Sequence, residues 1–207
     1  MREKILAVLN QHVPQAAVPY CYNLWETNSF TLKITKSRYS KAGDFSCASS
    51  FSTPIITLNN DLNPYLFLTT YIHEVAHLHI FKKYSRKVNP HGNEWKKCFQ
   101  ELMLPVLTPE YFPEDLLLVL KKHMLKPMAS SFADADLTKA FRKYDPKVTH
   151  LLTVSDLPEG THFTLRGRHF KKGELKRTRF VCNELKSKRK YLVPAEALVD
   201  EVQLRMF

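Results

Sequence analysis

The sequence predicts an α+β protein, and three observations carry the prediction. A long apolar run beginning at Pro64 has the length and composition of a core helix. Two short segments before it, Phe30-Thr31-Leu32-Lys33-Ile34-Thr35 and Pro54-Ile55-Ile56-Thr57-Leu58, are patterned as strands. From about Thr149 the texture changes to short β segments separated by turns at Glu159-Gly160 and Lys172-Gly173. The change divides the chain into an expected first domain, residues 1–145, and a second, residues 146–207.

The elements follow in order. Glu3 to His12 carries Ile5, Leu6 and Leu9 at helical spacing, and Pro14 closes it. Ser37 to Ser46, with Gly43 and Asp44, reads as a turn or flexible loop between the two strands. Those strands should form a small sheet against the core helix, and an edge strand there can pair with an extended substrate. Asn63 is placed to cap the long helix and Pro64 to occupy its first turn. Phe81 to Lys87 is basic and then irregular. Asn93 can cap a further helix in which Trp95, Cys98, Phe99 and Leu102 make a packing stripe ending near Pro105. Pro113 to Met124 gives another helix and Asp136 to Tyr144 a short one, with a linker between Lys126 and Asp134. In the second domain, Leu151–Val154, His162–Leu165, Thr178–Cys182 and Lys190–Val193 read as strands, and Pro194 to Val202 as a closing helix.

The core helix contains His73-Glu74-Val75-Ala76-His77. A helix turns about 100° per residue, so His73 and His77 stand one turn apart on one face and can grip a metal ion, with Glu74 beside it as a proton acceptor for water. A catalytic zinc wants a third protein ligand and an open position. Ile80 and Lys83 exclude the glycine-anchored histidine spacing of metzincins. Glu94 and Glu101 lie at distances suited to a helical glutamate ligand. His91, in Asn89-Pro90-His91-Gly92-Asn93-Glu94-Trp95, is the better candidate, because Pro90 stiffens its approach and Gly92 permits a tight turn before the next helix. His79 points away from that face and reads as structural. His12, His123, His150, His162 and His169 lack ligand spacing and read as surface or packing residues.

Composition sets the partners. The formal net charge is +11 and the pI near 9.5, which favours a polyanion, nucleic acid before anionic membrane. Cys21, Cys47, Cys98 and Cys182 form no C-x-x-C pair and no disulfide framework. The N-terminus lacks the apolar core of a secretion signal and no run reaches membrane-spanning length, so a cytoplasmic protein with reduced thiols is expected.

HEVAH, a short basic loop and PHGNEWK together resemble the SprT-like zinc metallopeptidases, which include the Spartan proteases that cut proteins crosslinked to DNA. The resemblance is firm over roughly residues 55 to 104. It implies a zincin-like domain, with helices on a small sheet and H-E-x-x-H on the core helix. It implies His73, His77 and His91 as ligands of one catalytic zinc and Glu74 as acid/base. In many such proteins the C-terminal region is a zinc ribbon with two cysteine pairs. Here Cys182 stands alone and Leu185 occupies its partner's place, so a basic β module without a structural zinc is expected.

Lys82, Lys83, Arg86 and Lys87 flank the motif. Arg166, Arg168, Lys171, Lys172, Lys176, Arg177, Arg179, Lys186, Lys188, Arg189 and Lys190 crowd the second domain, interleaved with Phe163, Phe170, Phe180 and Tyr191. Basic groups on phosphates and aromatic faces on bases would suit single-stranded DNA, although the aromatics also suit a small core. The expected activity is peptide hydrolysis on a protein substrate, DNA-bound by analogy with Spartan. Tyr39, Tyr84 and Arg86 are the open choices for stabilising the oxyanion. A nucleic-acid-binding protein with a structural or vestigial zinc site, and a zinc hydrolase of a non-peptide bond, are the rivals. A fourth protein ligand would favour the first and a deep small pocket the second.

Overall fold

The computed structural model describes residues 2–38, 41–49, 52–129, 134–145 and 152–203. The chain is α+β and divides into two compact units, Met1–Asp145 and Pro146–Phe207. Among the described residues no helix is long and apolar enough to cross a membrane.

The first unit is built on α3 (Pro64–Tyr84), whose 21 residues are buried around most of its circumference. That is why the run is apolar throughout instead of striped. Asn63 caps it as expected: its Oδ1 accepts from Leu66 N at 3.0 Å while its Nδ2 donates to Phe141 O at 2.9 Å. Against α3 lie α1 (Arg2–His12) and α2 (Val18–Asn28). The α2 helix was not anticipated. Pro19 sits in its first turn, where a missing N–H costs nothing, and Val18, Cys21, Leu24 and Trp25 are its inward face. Tyr71 Oη, buried on α3, donates to Cys21 O at 2.8 Å.

Three strands, β1 (Thr31–Thr35), β2 (Gly43–Ser46) and β3 (Ile55–Asn59), form a sheet of order β1-β3-β2, β1 parallel and β2 antiparallel to β3. The expectation of a loop over residues 37–46 is therefore corrected for Gly43–Ser46. The approach to β2 is bracketed by buried Asn59, whose Nδ2 donates to Arg38 O (3.1 Å) and Lys41 O (3.0 Å), while Arg38 Nε donates to Asn59 Oδ1 at 2.8 Å.

The α4 helix (Asn93–Met103) begins at an N-cap occupied by Gly92 and not Asn93. Trp95 and Phe99 are buried, with Cys98 packed at the margin. After α5 (Glu114–Met124), α6 (Ala135–Arg142) is capped by Asp134, which accepts from Leu137 N. His123 is a buried partner of that cap, Nδ1 to Asp134 Oδ2 at 2.8 Å. Of the expected linker, Ser130–Ala133 lie outside the described residues.

The second unit holds β4 (His162–Leu165), β5 (Arg168–Lys171), β6 (Leu175–Lys176), β7 (Arg179–Glu184), β8 (Lys190–Pro194) and β9 (Glu201–Gln203) in the order β6-β7-β5-β4-β9, with β8 also on β7. Strands β5 and β6 were unexpected. The two-residue turn Arg166-Gly167, with φ of 53° and 68°, closes the β4–β5 hairpin. The expected strand at 151–154 is instead a Thr153–Leu198 bridge and a 3-10 turn, Val154–Asp156, capped by Thr153; Leu151 and His150 lie outside the described residues. The expected closing helix is a turn followed by β9, because pairing with β4 satisfies the backbone there. Val154, Phe163, Phe170, Cys182, Val193 and Val199 are in the core.

Candidate metal centre

One turn of α3 brings His73 and His77 together, and the loop before α4 returns His91 to them. His77 Nε2 lies 3.2 Å from His73 Nε2 and 3.1 Å from His91 Nε2. Among the described residues these three histidines form the one group able to hold a metal, each offering a ligand atom within 4.8 Å of the others. The geometry fits a cation. Four-coordinate zinc with nitrogen ligands has an edge of about 3.3 Å between ligand atoms, close to both separations. Neutral imidazoles cannot place a proton on every such edge, whereas a cation uses all three lone pairs.

Burial keeps the rings neutral. His73 is held well below the ordinary histidine range by desolvation and by its two neighbours; His77 is pushed down to about 4 by desolvation and then by His91; burial lowers His91. Trp95 forms the floor, its ring centroid 4.6, 5.3 and 4.8 Å from those of His73, His77 and His91. The packing role expected for Trp95 is thus exercised on the ligand cluster itself.

Glu74 is 6% exposed and its carboxyl is pushed up to about 8, by burial first and by the nearby Asp44 second; the Phe45 backbone amide opposes the shift. It faces a cleft of about 760 Å³ bounded by β2, α3 and the loop carrying His91. In β2, Asn59 N donates to Ala42 O across the sheet, so Asp44 and Ser46 continue that hydrogen-bonded row and the polar groups of Gly43 and Phe45 point to the free edge.

The other candidates separate. Glu94 and Glu101 line a second hollow with His79 and are not third ligands. Tyr84 lines that hollow too, while Arg86 lines the cleft and donates to Cys47 O at 3.3 Å; Tyr39 lies outside the described residues. Lys82 donates to Asn28 O (2.9 Å) and Oδ1 (3.1 Å), closing the end of α2, and Lys83 and Lys87 are exposed.

In the second unit two basic residues are structural. Lys172 is 5% exposed, donates to Ser155 O (3.3 Å) and to Leu157 O, and sits 3.9 Å from the Phe180 ring centroid. Arg168 Nε donates to Glu184 at 2.6 Å with its guanidinium over Tyr191. Arg166, Lys171, Lys176, Arg177, Arg179, Lys186, Lys188, Arg189 and Lys190 are exposed. Register sets Lys176 beside Arg179, and Lys171 and Lys190 on either side of Asn183, on one sheet face with Val181 and Leu192 between. Phe163 and Phe170 are buried, and Phe180 and Tyr191 pack half-buried on the same core, so these rings serve the interior.

Sequence patterning missed Gly43 and Phe45 as neighbours of Glu74. A glycine inside a strand pattern can signal close approach as well as a turn, which was the available clue. A protein-family model described as the SprT-like family matches residues 3–111. No curated protein and no solved structure matches the chain.

Proposed function

The chain belongs to the SprT-like family, and from that premise we propose that it is a zinc metallopeptidase with a zincin-like first domain. The single observation that carries this is a buried glutamate set beside three converging imidazoles in an open cleft. His73, His77 and His91 would hold the zinc. When bound, that ion supplies a Lewis acid for the peptide carbonyl and a lowered pKa for water. Glu74, whose ionised form a cation held by the histidines would favour, accepts the proton of the attacking water at its carboxylate and returns it to the departing amine. Burial keeps competing water from Glu74, and the edge of β2 offers the backbone groups of Gly43 and the Phe45 carbonyl to align an extended chain, the Phe45 amide being turned to Glu74. A cleft running along an edge strand supports a polymeric substrate over a small one. Arg86, which lines the cleft, would neutralise the oxyanion.

DNA-bound protein is the proposed substrate, with DNA held by the exposed basic residues. With its aromatics turned inward, the second unit is suited to phosphates and not to stacking on unpaired bases. The test combines metal analysis of wild type and Glu74→Gln with casein hydrolysis, with and without single- or double-stranded DNA at two salt concentrations. We expect one zinc in both proteins, a rate lower by about 10² or more in the variant, and stimulation by either DNA form that fades with salt. Absence of metal from the wild type, or equal rates in the two proteins, would overturn the proposal.

A further inference from the structure

Gly43 occupies the point where β2 crosses α3. A Cβ on it would lie 2.7 Å from Glu74 Oε1, 2.9 Å from Glu74 Cγ and 2.7 Å from Thr70 Cγ2. Gly43 is buried and is not among the residues with positive φ, so the position needs space and not an unusual backbone. The neighbours differ in what they can yield. The carboxylate oxygen ends a flexible side chain and can swing aside. Glu74 Cγ moves only if the whole rotamer changes. Thr70 is fixed, its hydroxyl donating to Leu66 O at 2.7 Å and its χ1 restricted by β-branching. Two residues on, Phe45 lies on the same face of β2 and packs against Phe81 of α3, ring centroids 5.6 Å apart. The strand is therefore pinned to the helix by Phe45 and brought down onto the glutamate through the gap at Gly43.

We infer that Gly43 is a positioning residue for Glu74: the missing side chain lets the edge strand rest on the carboxylate, so the height of the strand and the direction of the base are set together. A side chain at 43 turns Glu74 away from the histidines or lifts the edge along which substrate would lie. The catalytic half of this inference rests on Glu74 being the base; the steric half does not.

The test is a thermal-stability cycle of wild type, Gly43→Ala, Glu74→Ala and the double variant, with metal content and steady-state hydrolysis of casein for Gly43→Ala. Removing Glu74 Cγ and Oε1 should make Gly43→Ala clearly less costly in Tm than it is in the wild type. Gly43→Ala should keep its metal, and its kcat should fall by about tenfold or more with KM little changed, as a misdirected base requires. Should Gly43→Ala fail to fold, Gly43→Ala with Thr70→Ser, which clears the methyl, carries the same measurements. Equal loss of Tm in both backgrounds, an unchanged kcat, or loss of metal would overturn the inference. If the wild type hydrolyses no peptide, the proposed function fails, and the cycle alone upholds or overturns the sharing of space between Gly43 and Glu74.

Discussion

At the scale of single residues, the chemistry resides in surroundings more than in identity. Glu74 is one of 20 acidic residues, distinguished by burial, by Asp44 and by the strand resting on it. Trp95 gives up a hydrogen bond for its place. Its indole Nε1 is buried with no partner among the described residues, at a cost of about 1–3 kcal/mol, while its ring supports three histidines. Those histidines make acid stability predictable. Their folded pKa values lie below the ordinary 6.5, so between that value and about 4, the figure for His77, the unfolded chain binds more protons than the folded one. The histidine contribution to stability therefore rises with pH across this window and is lost as pH falls through it, while Glu74, raised from 4.5 to about 8, works in the opposite sense above about 4.5. Denaturant titrations of metal-free Glu74→Gln should show the loss, and replacing all three histidines by Gln in that background should flatten it. The pair His73 and His77, with Glu74, was legible because spacing on a helix is geometry written into sequence. His91 was legible through Pro90 and Gly92. Gly43 was not, because Gly43-Asp44 also spells a turn and the helix opposite cannot be seen from the strand.

At the scale of elements, legibility followed how much of the pattern each segment carries alone. The cap and first turn of α3 were readable from Asn63 and Pro64, which act locally. The hydrogen bond that Asn63 Nδ2 donates to Phe141 O was not, since its partner is 78 residues away. Asn63→Ala removes both links, and urea unfolding should show a destabilisation of about 2 kcal/mol, roughly one for the cap and one for the tie to α6. A loss no larger than a cap alone would show that the tie contributes nothing. Strands β5 and β6 escaped detection because Arg168, Lys171 and Lys176 leave them few apolar residues; cross-strand partners on β7 and β4 define them. The strand expected at 151–154 was misread because its last apolar residue, Val154, faces the core from a 3-10 turn, Val154–Asp156, and not from a strand.

At the scale of the whole molecule, the division into two compact units separates two kinds of fastening. In the first, three histidines converge with ligand atoms close enough to hold a cation. In the second, the cation is covalently part of the chain: the Lys172 ammonium ties Ser155 and Leu157 to the Phe180 ring near Cys182. No base composition or spacing rule marks one lysine among many as an internal brace, so it was read with the surface charges. The consequence concerns chelators. Dialysis against EDTA should abolish hydrolysis while the amides of Phe163 and Cys182 retain their hydrogen-exchange protection; loss of that protection would mean that a metal braces the second unit too. On the proposed zinc peptidase reading, a cell short of zinc would then hold this protein switched off but with its basic module still folded, ready to resume work when the ion returns, without passing through the ribosome again.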